Sequence, residues 1–173
     1  LTGFTLANGK SYAGGGAYHG TLNRCRLMNN VSTDSGGGSF FATLNQCVLS
    51  NNAATNMGGG ALYGTLNNCL LRNNAANTGG GAYNSILNNC TVVGNTARSA
   101  GGGIHTSFSA YTAANCIVWN NTLTNGTVNN YSGSTNILYS CTAPLALGEG
   151  NTASDPQFTN PGQNDYSLQR SSP

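Results

Sequence analysis

The chain has 173 residues, the size of one domain, and only 6% of them are charged. Six Lys/Arg against four Asp/Glu leave a net charge of +2, too diffuse for a nucleic-acid or anionic-membrane surface, and no run of 18 apolar residues can span a bilayer. The 38% hydrophobic residues are regularly spaced among Asn, Thr, Ser and 25 Gly, a composition suited to neutral side chains stacking on copies of themselves.

A patterned segment is already under way at residue 1, in Leu1-Thr-Gly-Phe-Thr-Leu-Ala-Asn8. No charged and apolar leader precedes it, so a mature or trimmed chain is expected. Gly triplets then begin at Gly14, Gly36, Gly58, Gly79 and Gly101, at intervals of 22, 22, 21 and 22. Cysteine follows the first four triplet starts by 11 residues, at Cys25, Cys47, Cys69 and Cys90. The fifth triplet reaches Cys116 after 15, because four residues are inserted around Ser107–Tyr111, and Cys141 is the sixth cysteine. Two residues beyond the first five stand Leu27, Leu49, Leu71, Val92 and Val118, and five beyond stand Asn30, Asn52, Asn74, Asn95 and Asn121. Leu22, Leu44, Leu66, Leu87 and Ala113 lie three before. Phe4, Leu6 and Asn8 fit the same C-x-L-x-N columns with Phe in the Cys position.

A period near 22 with short alternating runs excludes helical repeats, and the L-x-x-L-x-L frame of leucine-rich repeats is absent. The pattern predicts an all-β, right-handed parallel β-helix of seven or eight coils, each with three short strands joined at Gly- and Asn-containing corners. Residues 1–125 form the regular coils of a single domain, and 126–173 form irregular last coils and a C-terminal capping segment. Cys25 and Leu27 share a strand parity and should point inward. Asn30 should sit at a corner, where Asn tolerates the left-handed conformation and can bond to the Asn of the next coil. Whether the column Ala17, Ser39, Ala61, Ala82, Ile104 or its neighbour Tyr18, Phe40, Leu62, Tyr83, His105 faces inward is left open by the spacing.

Polysaccharide lyases and hydrolases need paired carboxylates or carboxylate-bound Ca²⁺. Among Asp34, Glu149, Asp155 and Asp165 only Asp34 lies in the regular coils, and one repeat later the position holds Asn56. His19 and His105 occupy different columns. No catalytic residue and no cofactor are expected. Paired C-x₂-C ligands do not occur, so no metal site is expected either. Adjacent coils place Cα atoms within disulfide range, but parallel in-register neighbours point their Cβ atoms the same way. Buried thiols packed as small apolar groups fit best. If bridges form, Cys25–Cys47, Cys69–Cys90 and Cys116–Cys141 are the pairs.

Two outward features could contact a partner. Thr21 and Asn23, repeated as Thr43/Asn45 and Thr65/Asn67, form a T-x-N array suited to glycan or ice, or simply to β-branched and Asn ladders. Val48, Leu70 and Ile117, with Trp119 on the adjacent outward column, suggest lateral packing against another chain or segment.

With these columns laid out, the chain resembles the repeat regions of bacterial secreted β-helix proteins. It is similar to polymorphic outer-membrane-protein-type repeats and, more closely, to choice-of-anchor β-helix surface proteins. The resemblance rests on Asn115-Cys-Ile-Val-Trp-Asn-Asn-Thr122, Gly148-Glu-Gly-Asn-Thr152, Asp155-Pro-Gln-Phe158 and the closing Asp165-Tyr-Ser-Leu…Ser-Pro173. It implies an extracellular or bacterial cell-surface setting and a non-enzymatic structural rod or end-to-end fibre. The expected partners are copies of the chain or neighbouring β-helix segments, with glycan as the alternative. Both ends should leave strand edges open to pairing, since neither carries an obvious polar cap.

Overall fold

A computed structural model describes residues 1–173. The chain winds into a parallel β-helix whose coils each contribute to four parallel sheets. Sheet A holds the Thr-Leu-Asn strands Thr21–Asn23, Thr43–Asn45 and Thr65–Asn67 and their successors to Asn136–Leu138. Sheet B runs from Thr5–Ala7 through Arg26–Met28, Val48–Ser50, Leu70–Arg72, Thr91–Val93 and Ile117–Trp119 to Cys141–Thr142. Sheet C contains Lys10–Ala13, Val31–Ser35, Ala53–Ala54, Ala75–Thr78, Thr96–Ala100 and Thr122–Leu123. Sheet D contains Ala17–Tyr18, Ser39–Phe40, Ala61–Leu62, Ala82–Tyr83, Ile104–Thr106 and Tyr131–Gly133. Sheet B has seven strands and the others six, so the solenoid makes six full turns where the periodicity predicted seven or eight. The first and last segments fall short of complete coils.

Each coil has four strands rather than three because it has four corners. At each corner one residue adopts the left-handed conformation and turns the chain. In the second coil these are Gln46 (φ 55) from A to B, Asn51 (φ 56) from B to C, Gly58 (φ 64) from C to D and Tyr63 (φ 51) from D to A. Asn29, Asn51, Asn73 and Asn120 therefore hold the B-to-C corner. The adjacent ladder residues Asn30, Asn52, Asn74, Asn95 and Asn121 are the inward neighbours of that corner, not its left-handed members.

The core follows the predicted columns. Leu44 and Leu66 from sheet A, Leu49 and Leu71 from sheet B, and Ala61 and Ala82 from sheet D are all 0% exposed. The open question at sheet D is thereby settled: Ser39, Ala61, Ala82 and Ile104 face inward, while Tyr18 stands 60% exposed. In sheets A and B the registers between coils are one-to-one, as in Leu66↔Leu44 and Leu71↔Leu49, so these inward columns stack leucine on leucine through the middle coils.

At the C-terminal end the last strands of sheets A, B and C are covered, where open strand edges are expected from the lack of an obvious polar cap. Val128 pairs with Thr122 at the last strand of sheet C, and Thr152 pairs with Cys141 at the last strand of sheet B. Tyr139 donates its N–H to the Glu149 carbonyl, closing part of sheet A. Phe158–Asn160 and Asp165–Leu168 then form an antiparallel hairpin. Arg72 donates to Asn164 Oδ1 at 2.7 Å, which lays this hairpin beside sheet B. The only helix is the 3₁₀ turn Pro161–Gln163, and no helix is long and apolar enough to cross a membrane.

Candidate functional site

The predicted Cys column is a hydrogen-bonded ladder of free thiols. The N–H of Cys25 donates to Cys47 Sγ, Cys47 to Cys69 Sγ, Cys69 to Cys90 Sγ and Cys90 to Cys116 Sγ, each at 3.4 Å. Each inner thiol donates in turn to carbonyls, as Cys69 does to Leu44 and Asn67. The hydrogen bond with Cys116 and burial push the Cys90 thiol up to about 12, so its nucleophilic thiolate is suppressed. The same interactions, with Cys69 as the leading partner, raise Cys47.

Two calls on this column are corrected. Cys141 is not its last member: Cys116 donates its N–H to Ser140 Oγ at 2.9 Å, and Cys141 pairs with Ile117 on the outer face of sheet B. A hydroxyl serves the same acceptor role as the thiol, so the sixth cysteine is free to point out, and a Cys116–Cys141 bridge is incompatible with that register. Phe4 occupies the Cys register one coil before Cys25, but it is 58% exposed and does not fill the core.

The Asn column is a second internal ladder. Asn52 Nδ2 donates to Asn74 Oδ1 at 3.0 Å and to the Leu27 carbonyl at 2.9 Å, and Asn74 Oδ1 also receives the Asn52 N–H at 2.9 Å. The pattern repeats from Asn30 to Asn121 and continues to Asn130, which ends it by donating to the Ala143 carbonyl. Burial of these amides is tolerated because each donor and acceptor is matched by the next coil.

The T-x-N face carries a third ladder. Asn45 Nδ2 donates to Asn23 Oδ1, Asn67 to Asn45 and Asn88 to Asn67, at 2.9, 2.9 and 3.0 Å. Thr21 is exposed, and Thr43 and Thr65 are half-buried. Val48, Leu70, Ile117 and Trp119 are half-buried on the outer face of sheet B. Ile117 shares a cleft of about 250 Å³ with Cys141, Leu168, Pro156 and Pro173, so the chain's own C-terminal segment packs at that end of the column.

A further feature lies beside the column whose orientation the spacing left open. At the D-to-A corner, His19 (φ 61), Phe41 (φ 51) and Tyr63 (φ 51) occupy the left-handed position. A bulky side chain there costs on the order of 1 kcal/mol. His19 stacks on Phe41 at 5.3 Å and Phe41 on Tyr63 at 5.0 Å. The outward column of sheet D runs beside them, with Tyr18 stacked on Phe40 at 5.3 Å and Tyr83 on His105 at 5.1 Å. The insertion around Ser107–Tyr111 adds Tyr111, 6.2 Å from Tyr63, and Phe108, 62% exposed. Burial lowers the His105 pKa, which favours its neutral ring. The outcome is a continuous aromatic strip along one corner of the rod.

The carboxylates are separately engaged. Asp34 accepts from Asn56, Asp155 from the Gln157 N–H and Asp165 from the Ser167 N–H. Hydrogen bonds from Ser167 hold Asp165 below the usual carboxylate range. Hydrogen bonding to Glu149 raises Tyr139. No three His, Cys, Asp or Glu side chains converge on a point where a metal ion could be held.

Comparison of the chain with protein-family models, with curated proteins and with solved structures gives no match.

Proposed function

We propose that this chain is a non-enzymatic structural β-solenoid of an extracellular or bacterial cell-surface protein, a rod whose last coil is covered on three of its four sheets. The observation that carries this reading is the set of coil-to-coil ladders, which spend the inner polar side chains on structure. The last strands of sheets A, B and C are covered by Asn125–Asn130 and Gly148–Thr152, which blocks further coils there. The inner chemistry supports the same role: the ladders commit their polar side chains to the next coil, and each carboxylate is held locally rather than against another. Extended stacking of copies would require the closed end to open.

Sedimentation and negative-stain electron microscopy at rising concentration test the reading. Short rods are the expected particles, and long filaments from the intact chain would contradict the covered last coil. Cleavage of any neutral or acidic polysaccharide by the purified chain would contradict the non-enzymatic role.

A further inference from the structure

The aromatic corner is left unexplained by the ladders, and there the fold accepts backbone strain at its surface. One coil beyond Tyr63 the same left-handed position holds Asn84 (φ 42), a residue that tolerates it. Phe41, 46% exposed, gains little burial in return for its conformation. Strained and exposed rings in register point to contact with something outside the chain.

The chemistry of the strip narrows what that is. It is built from Phe, Tyr, His, Ser and Asn, with no Lys, Arg, Asp or Glu among its members. Tyr63 lies at 90° to Phe40 and at 89° to Tyr83 while Phe41 stacks on it, and Tyr18 and Phe108, 60% and 62% exposed, bring ring surface to solvent along the strip. Polar groups lie beside these rings: Tyr83 Oη shares a hydrogen bond with Ser107 Oγ at 2.7 Å, and the buried Asn84 Nδ2 has no partner. Ring surfaces next to hydroxyl and amide groups, with no ionic group, match an uncharged pyranose, whose C–H face packs on rings while its hydroxyls exchange hydrogen bonds. The repeat of rings from coil to coil suits a ligand that also repeats. We infer that this corner is a docking strip for an uncharged polysaccharide lying along the solenoid axis. The inference stands independently of how the rod's ends associate.

Affinity electrophoresis of the intact chain through gels containing a soluble neutral β-glucan, mannan or xylan, with polygalacturonate as the acidic counterpart, tests it. Retardation is expected in at least one neutral gel and not in the acidic one. Phe41→Asn and Tyr63→Asn should each weaken retention roughly tenfold, the loss of about one ring contact. Both should keep the wild-type melting temperature, since Asn suits a left-handed corner. Tyr12→Ala, which removes a ring 74% exposed on sheet C, should bind as the wild type does. Absence of retardation in every neutral gel, retardation confined to the acidic gel, or retention unchanged in both corner variants would overturn the inference. So would self-association of the intact chain that both variants abolish, which would assign the strip to a second copy.

Discussion

Cys116 donates its backbone N–H to Ser140 Oγ at 2.9 Å, so the column of sulfur acceptors ends in a hydroxyl and the next residue, Cys141, turns outward. Five thiols are buried in the ladder and one is half-buried at the surface. Alkylation of the native protein should therefore place one label per chain, at Cys141, and denaturation should expose the other five. Burial and the charge of Asp155 raise the Cys141 thiol, so its labelling should accelerate with pH. Intact mass reads the result, and a Cys141→Ser variant that still labels in the native state would contradict the register.

The ladder also predicts alkaline instability. Cys90 is pushed up to about 12 by its bond with Cys116 and by burial. Cys69, despite the opposing contact with Cys47, is held at about 12 by Cys90 and burial. In the unfolded chain both ionise near the ordinary value of 9.0, so above that pH the unfolded state releases protons that the folded state retains. For these two thiols stability is then level below pH 9 and falls as pH rises toward 12, by up to ~1.4 kcal/mol per unit for each, while Cys116, lowered by its bond with Cys90, acts with the opposite sign below 9. Melting temperatures followed from pH 7 to 11 should drop over the upper part of that range. Cys90→Ala should show a shallower drop, and an identical profile would remove the thiols as its cause.

What could be read from the sequence divides along physical lines. The Cys, Leu and Asn columns were legible because neighbouring coils demand the same side chain at the same place. The sheet C strands were not, since their inward residues Ser32, Ala54, Ala76 and Ala97 are small and give no apolar period. Asn29 and Asn30 look alike in sequence but meet different needs, one a left-handed backbone and the other a buried amide chain. Ser140 was missed because a hydroxyl can replace a thiol as acceptor. A capping segment is expected within 126–173, but its strand pairings are not legible because they follow no repeat. At the D-to-A corner, His19, Phe41 and Tyr63 sit where Asn or Gly would be expected, so neither core periodicity nor turn chemistry marks them.

Removing one amide from the inner ladder should cost far more than removing one from the outer ladder. Asn74→Leu leaves the Asn52 N–H and Nδ2 without their acceptor and the Leu49 carbonyl without a donor, all in the interior. At about 1–3 kcal/mol for each unmatched group, the loss should reach at least ~3 kcal/mol. Asn67→Ala breaks two bonds on a half-buried face, where water can replace them, and should cost about 1 kcal/mol. Urea unfolding of the two variants gives the comparison, and equal midpoints would contradict the ranking.

The middle residue of each Gly triplet is fixed by space rather than by dihedral freedom. A methyl group on Gly37 would collide with the Ala53 carbonyl and lie 2.5 Å from the Gly59 carbonyl oxygen of the next coil. Gly37→Ala should thus force coils apart and cost on the order of 1–3 kcal/mol, the range for overpacking. Gly162→Ala, whose nearest contact would be 3.7 Å away, should be close to neutral. Thermal melts of the pair distinguish a steric cause from a general intolerance of alanine.

The closed end makes the strongest prediction about assembly. Ser140 donates its N–H to Asn151 Oδ1 at 2.9 Å, and Asn151 Nδ2 returns a bond to the Ile137 carbonyl at 2.8 Å, so Asn151 takes the place a further coil would fill. Thr142 donates its N–H to the Thr152 carbonyl, and Thr152 donates its N–H to the Ser140 carbonyl, each at 2.9 Å. Deleting residues 144–173 would uncover the strands Asn136–Leu138 and Cys141–Thr142, which run parallel to the strands of the preceding coil. Head-to-tail stacking then becomes available, because each uncovered edge can take the N-terminal edge of another copy. The truncated chain should form filaments whose length grows with concentration, while the intact chain stays in short rods. Asn151→Ala, which removes one amide and leaves the segment in place, should weaken the cap without filament growth. Filaments from both chains, or from neither, would show that the C-terminal segment does not govern end-to-end assembly.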